Sequence, residues 1–163
     1  MRNHTDAAPS AKPGVGAAVP SQFSFDGTVG WWQGATNETS MALFHRNTDD
    51  GCFVSAQYKT GIVDAAAAIQ KTNSALTSSG YSVTPGTTQT LTLQTKVGLQ
   101  SYELYQSTVT TPTGAQQVEG GQEFGYVQLA GGYIYIEGYC NTAAELPATI
   151  PALQAIKFNG ASS

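Results

Sequence analysis

His45-Arg46, followed by Asp49-Asp50, puts an imidazole, a guanidinium and two carboxylates within six residues. Such a set has the groups for acid–base work or for binding Ca²⁺. A calcium loop needs several oxygen ligands at patterned spacing, and Asn47, Asp49 and Asp50 supply too few. Asn, Asp and Gly are also what a tight turn requires of itself. The only other histidine is His4, so no metal site and no cofactor are assigned. Among the carboxylates Glu103, Glu123 and Glu137, the last lies between tyrosines, where its pKa can shift. A glycosidase needs two carboxyl groups about 5–9 Å apart, and the sequence places no partner beside Glu137. Serines are plentiful, but no G-x-S-x-G elbow presents one to a base. No catalytic residue is assigned.

The two cysteines, Cys52 and Cys140, form no C-x-x-C pair, which argues against redox and zinc chemistry. Strand phasing gives them another role. Cys52 shares a face with Val54 and Ala56, and Cys140 shares one with Ile134 and Ile136. Both point inward at strand ends, so a Cys52–Cys140 disulfide is expected, with two buried thiols as the alternative. Closing so long a loop contributes about 4–5 kcal/mol on the chain-entropy model. The opposite face of the last strand carries Tyr133, Tyr135, Glu137 and Tyr139. Of Trp31 and Trp32, one ring is expected to anchor the N-terminal strands and the other to face solvent. Tyr133, Tyr135, Glu137, Tyr139 and Trp32 are therefore the candidate ligand contacts, since such rings stack on sugars or seat in protein partners. The competing expectation is that helices cover the tyrosine face and make it core.

Composition narrows the partners. Charged residues are 11% of the chain, against about 25% in ordinary soluble domains. Net charge is −4 with a pI near 4.9, and the basic residues are scattered. This excludes a nucleic-acid stripe and electrostatic docking on anionic lipid. Thr, Ser, Gln and Asn make up 52 of 163 residues and replace charge as the source of surface polarity. Thr favours strands, so the composition suggests abundant sheet and a secreted or cell-surface setting. Asn3-His4-Thr5 and Asn37-Glu38-Thr39 match the glycosylation triplet, which matters only in a eukaryotic secretory host.

Residues 1–20 are rich in Ala, Pro and Gly and are expected to be a disordered tether. Residues 21–160 are expected to form one domain. No run approaches the ~20 apolar residues of a membrane span, and the N-terminus lacks a signal-peptide core. A membrane anchor or export signal outside this sequence is expected. Strands are expected around Phe23 and Phe25 and over 41–46, 52–59, 81–84, 87–95, 99–110, 124–129 and 133–140. Pro85-Gly86 is expected to turn the chain. Asp64 should cap a helix over 64–79 that ends at Gly80 and lies on the sheet through its alanines. Thr142-Ala143-Ala144-Glu145 matches a capping box. A closing helix over 149–156 carries Pro151 in its first turn, and the fold should end near Phe158. These elements give α+β: an antiparallel sheet of about six strands with two helices packed on it, α-β-α sandwich-like.

The element order, ending in YIYIEGYCNTAAELPATIPALQAI, resembles the PsbP/DcrB-like α-β-α sandwich family. Members on bacterial surfaces are often lipoproteins or anchored domains. The resemblance implies that sandwich and an extracytoplasmic, membrane-anchored or secreted location. The family has no universal catalytic residues, so no site is carried over. Relatives that bind metal use histidine and carboxylate, which His4 and His45 match poorly. The expected function is a non-enzymatic, surface-tethered binding or assembly module. A monomer is expected, with an envelope protein or glycan as partner. The alternatives are a hydrolase of cell-envelope polymers and a structural subunit of a surface fibre.

Overall fold

The computed structural model describes residues 22–26, 28–34, 36, 38–46, 51–112 and 119–160. The tether expected over 1–20, Asp49, Asp50 and both glycosylation asparagines lie outside them. Strict period-two alternation shapes the centre of the molecule. In β8 (Gly132–Cys140) buried and half-buried positions alternate without exception, as a strand with one face on a core must. Its neighbours are β7 (Glu119–Gln128) and β4 (Phe53–Thr60), both antiparallel to it. β3 (Met41–Arg46) and β2 (Trp31–Gln33) continue the sheet on one side. On the other side lie β6 (Gly98–Thr110), β5 (Ser82–Thr95), β9 (Ile156–Phe158) and β1 (Phe23–Phe25).

The sheet order is β1-β9-β5-β6-β7-β8-β4-β3-β2. Every pairing is antiparallel except β5 with β9, which makes the sheet mixed. It curls until its edges nearly meet. Gln22 N–H, beside β1, donates to the Thr39 carbonyl just before β3 at 2.9 Å. Phe25 of β1 stacks on Phe44 of β3 with ring centroids 4.5 Å apart. The inner face encloses one core that includes Phe44, Leu93, Leu104, Ile134, Ile136 and Phe158.

This architecture corrects the expectation of a six-stranded antiparallel sheet in an α-β-α sandwich. The sheet has nine strands, is mixed and is barrel-like, with two short helices. Three-residue strands carry no readable period. β2 and β9 exist because longer partners pair with them. Phe158, expected to close the fold as a tail, stacks on Tyr58 at 5.3 Å and meets Phe23 tilted at 5.1 Å. Pro85-Gly86 does not turn the chain: β5 runs through it, and the ladder with β6 shifts register between Pro85 and Thr88. A bulge accommodates a proline that has no N–H to give.

α1 (Ala65–Ser78) forms where its caps place it. Asp64 Oδ1 accepts from Ala67 N–H at 3.2 Å, and Gly80 takes the positive φ of 92° that ends the helix. None of its residues is buried, so it rests on the outside of the sheet. The second helical segment does enter the core. A 3-10 turn (Ala143–Ala148) leads into α2 (Thr149–Ala155), and Leu146, Thr149, Ala152 and Leu153 are buried. Thr142 makes no side-chain capping bond. Glu145 turns instead to Arg46 on β3, 2.9 Å away, because a guanidinium is a stronger partner for a carboxylate than a backbone N–H.

Cys52 and Cys140 form the expected disulfide across 88 residues of sequence. Phe53 pairs with Tyr139, so the bridge occupies the next position along the β4–β8 ladder. Both sulfurs lie on the core side, with Cys140 fully buried. A disulfide is consistent with an oxidising, extracytoplasmic compartment. Replacing both cysteines with serine should lower the unfolding free energy by about 3–5 kcal/mol in a denaturant titration. Thiol titration of the unfolded, non-reduced protein should detect no free thiol, and two would refute the bridge.

Candidate functional site

The alternation that sends Ile134, Ile136 and Cys140 inward sends Tyr133, Tyr135, Glu137 and Tyr139 to the outer face. Register then assembles neighbours for them. Tyr126 lies directly opposite Tyr135, Phe124 opposite Glu137, and Lys59 opposite Tyr133. The Tyr126 and Tyr135 rings stack at 5.1 Å, Tyr126 and Tyr133 meet tilted at 6.5 Å, and Phe124 stacks on Tyr135 at 6.3 Å. Lys59 Nζ stands 5.6 Å from the Tyr135 ring centre, within cation–π range. The Tyr135 hydroxyl donates to Glu137 Oε2 at 3.2 Å. Burial, and then the charge of Glu137, push the Tyr135 pKa upward, so its hydroxyl remains a donor.

α1 crosses this aromatic face at its Phe124 end, where Phe124 is buried, and leaves Tyr126, Tyr133 and Tyr135 half-exposed. On one side the helix and the tyrosines bound an open cavity of about 280 Å³, lined by Tyr126, Tyr133, Tyr135, Lys59, Lys71 and Thr72 among others. On its other flank Ile69, Asn73 and Tyr105 line a wider groove of about 670 Å³. Asn73 also tethers the helix, its Oδ1 accepting from Gln122 Nε2 at 3.4 Å.

The candidate residues therefore divide. Tyr133, Tyr135 and Glu137 belong to one aromatic patch. Tyr139 lies further along the same face, its ring 6.0 Å from Phe53. Trp32 is opposite His45 on β2, three strands from β8, and only 5% exposed. It is thus not an exposed contact, and Trp31 is buried as well. Glu103 and Glu137 are on the outer face, whereas Glu123 is on the inner one, so the sheet separates Glu123 from both. Among the described residues no three His, Cys, Asp or Glu side chains converge as metal ligands would.

Glu123, one of the three strand carboxylates, differs from the other two in its burial. It sits in the strand run EGGQEFG and is completely buried. A Cβ at Gly138, directly across the ladder, would overlap its carboxyl, so that glycine makes the room. Glu123 Oε1 accepts from Gln106 Nε2 at 3.0 Å, and Gln106 Oε1 accepts from Thr87 Oγ1 and Gln89 Nε2 at 2.9 and 3.0 Å. Its other oxygen bonds to Thr149 Oγ1 at the start of α2. The Thr149 hydroxyl also reaches the Leu146 carbonyl at 2.7 Å. The hydroxyl is the donor in both contacts and shares its proton between the carboxyl and the carbonyl, a three-centre bond. Glu123 thereby joins β6, β7 and α2. Desolvation raises its pKa, outweighing the opposing hydrogen bonds from Thr149 and Gln106.

The chain was compared with protein-family models and with curated proteins, and neither comparison finds a match. No match bears on the PsbP/DcrB-like resemblance.

The raised pKa has a signed consequence. The folded state holds the Glu123 proton more tightly than the unfolded chain, so stability falls as pH rises. The loss begins at the ordinary glutamate range and is complete above the raised folded value. In Glu123→Gln, whose amide oxygen can still accept from Gln106 but whose side chain does not titrate, this slope should vanish. Thermal unfolding of both proteins across that pH window checks it, and parallel slopes would overturn the raised Glu123 pKa.

Proposed function

We propose that this protein is a non-enzymatic, extracytoplasmic binding module whose ligand face is the outer surface of β7 and β8 beside α1. Its cell-surface tethering belongs to the same reading. One observation carries it: three tyrosine rings, at 5.1 and 6.5 Å spacings, are left half-exposed around an open cavity. Folding alone gives little reason to leave such rings uncovered. Covering them would remove apolar area from water at roughly 25 cal/mol per Å², yet α1 stops short of doing so. Tyrosine offers a broad ring face for stacking and a hydroxyl for hydrogen bonding, with little side-chain entropy to lose. Envelope glycans are the ligands favoured here, because the C–H face of a pyranose complements a tyrosine ring. The disulfide and the charge-poor, Thr-rich surface support the extracytoplasmic setting.

A screen of the protein against envelope glycan fractions and envelope extracts tests the reading. Saturable binding without change to the ligand is expected, and turnover of any bound polymer would overturn it. Tyr135→Ala should weaken the binding about tenfold, the size of one lost stacking contact. Its far-ultraviolet circular dichroism should stay unchanged. Calorimetric titration measures the first effect.

A further inference from the structure

The cavity beside α1 brings two cationic side chains together in an acidic chain. The protein carries a net charge of −4, and five cationic side chains fall among the described residues: Arg46, Lys59, Lys71, Lys96 and Lys157. Arg46 is paired with Glu145, and Lys157 with Asp26 at 2.8 Å. Lys59 and Lys71 come from β4 and α1, consecutive elements of the chain, and line the same cavity as Tyr126, Tyr133 and Tyr135. Both are exposed. Neither makes an ion pair among the described residues, whereas Arg46 and Lys157 do. The Glu137 carboxylate accepts from the Tyr135 hydroxyl and is not a lining residue, although its charge acts on Tyr135 and Tyr126.

We infer that this cavity takes a carboxylate-bearing sugar ring, a residue of the uronic acid class, stacked on the tyrosines with its carboxylate between Lys59 and Lys71. The inference rests on the binding reading above and narrows its ligand to one chemistry. Three properties select it. The ring faces call for the C–H face of a pyranose, which a polyol phosphate lacks. The two ammonium groups call for an anion, and a charge-assisted bond to a carboxylate is about twice as strong as a neutral one. The volume of about 280 Å³ is at the small end of ligand sites and suits a single ring with its substituent. In a chain this acidic, two unpaired lysines on one aromatic cavity also make a local attractive field for an anion.

Calorimetric titration of the full chain with oligogalacturonate and with its carboxyl-reduced, neutral counterpart tests the inference. Poly(glycerol phosphate) serves as a second anionic probe. Oligogalacturonate should bind about tenfold more tightly than the neutral probe at low salt, and the preference should shrink as salt screens the lysines. Lys59→Gln and Lys71→Gln should each weaken oligogalacturonate about threefold to fivefold. In both variants the preference for oligogalacturonate over the neutral probe should shrink by the same factor. Equal, salt-independent binding of both saccharides would overturn the acidic assignment and leave the glycan-binding reading standing. Tighter binding of poly(glycerol phosphate) than of oligogalacturonate would overturn it in favour of a polyol phosphate. If neither saccharide binds, the inference is refuted, and failure of the wider envelope screen would take the binding reading with it.

Discussion

The rest of the structure depends on the period-two alternation of β8. Because successive side chains leave a strand on opposite faces, one nine-residue segment supplies the centre of the core and the centre of the aromatic surface. Ile134 and Ile136 are fully buried, and Cys140 sets the inward end of the disulfide. Tyr133, Tyr135 and Glu137 take the alternate positions. A register slip of one residue would send the tyrosines into the core and the isoleucines to water. The ladder to β4 prevents this, with eight paired positions running from Phe53–Tyr139 to Thr60–Gly132. The disulfide fixes the position next to them.

That alternation is also why part of the fold was legible in the sequence. Inward phasing of Cys52 and Cys140 needs only the two strands that carry them, and the bridge follows. Asp64 and Gly80 mark the ends of α1 through local chemistry that does not depend on tertiary context. β2 and β9 could not be read this way. Three residues show no period, and β9 gains its place by lying between β1 and β5, strands far away in the chain. Pro85-Gly86 was misleading because the same dipeptide suits a turn and a bulge, and only the partner strand decides. The capping-box pattern at Thr142 failed for a similar reason: Arg46, 99 residues from Glu145, competes for the same carboxylate.

The candidate site divides along the same line. The tyrosine row was visible as a period-two pattern within one strand. Tyr126, Phe124 and Lys59 joined it only through the register of neighbouring strands, and Lys71 only through the path of α1. Trp32 was read as exposed because a Trp pair gives no indication of what lies above it. Glu123 was hidden by its own type. A glutamate in a strand is ordinarily a surface residue, and what allows this one inside is a missing Cβ at Gly138, a threonine at the start of α2 and a glutamine on β6. None of these is a signal without the fold. A buried carboxyl bonded on both oxygens fixes α2 against the sheet more specifically than apolar packing alone, since each partner has one geometry.

The disulfide has a mechanical corollary for a chain pulled through its ends. Cys52 and Cys140 close a covalent loop containing β4, α1, β5, β6, β7 and β8. Tension applied through the two termini travels along the chain to one sulfur and leaves from the other. It bypasses the 88-residue separation between them, about 300 Å of extended contour. Strands outside the loop, such as β1, β2, β3 and β9, would peel first under load. The tyrosine cavity, with every one of its lining residues inside the loop, would keep its backbone out of the load path while the edges of the sheet gave way.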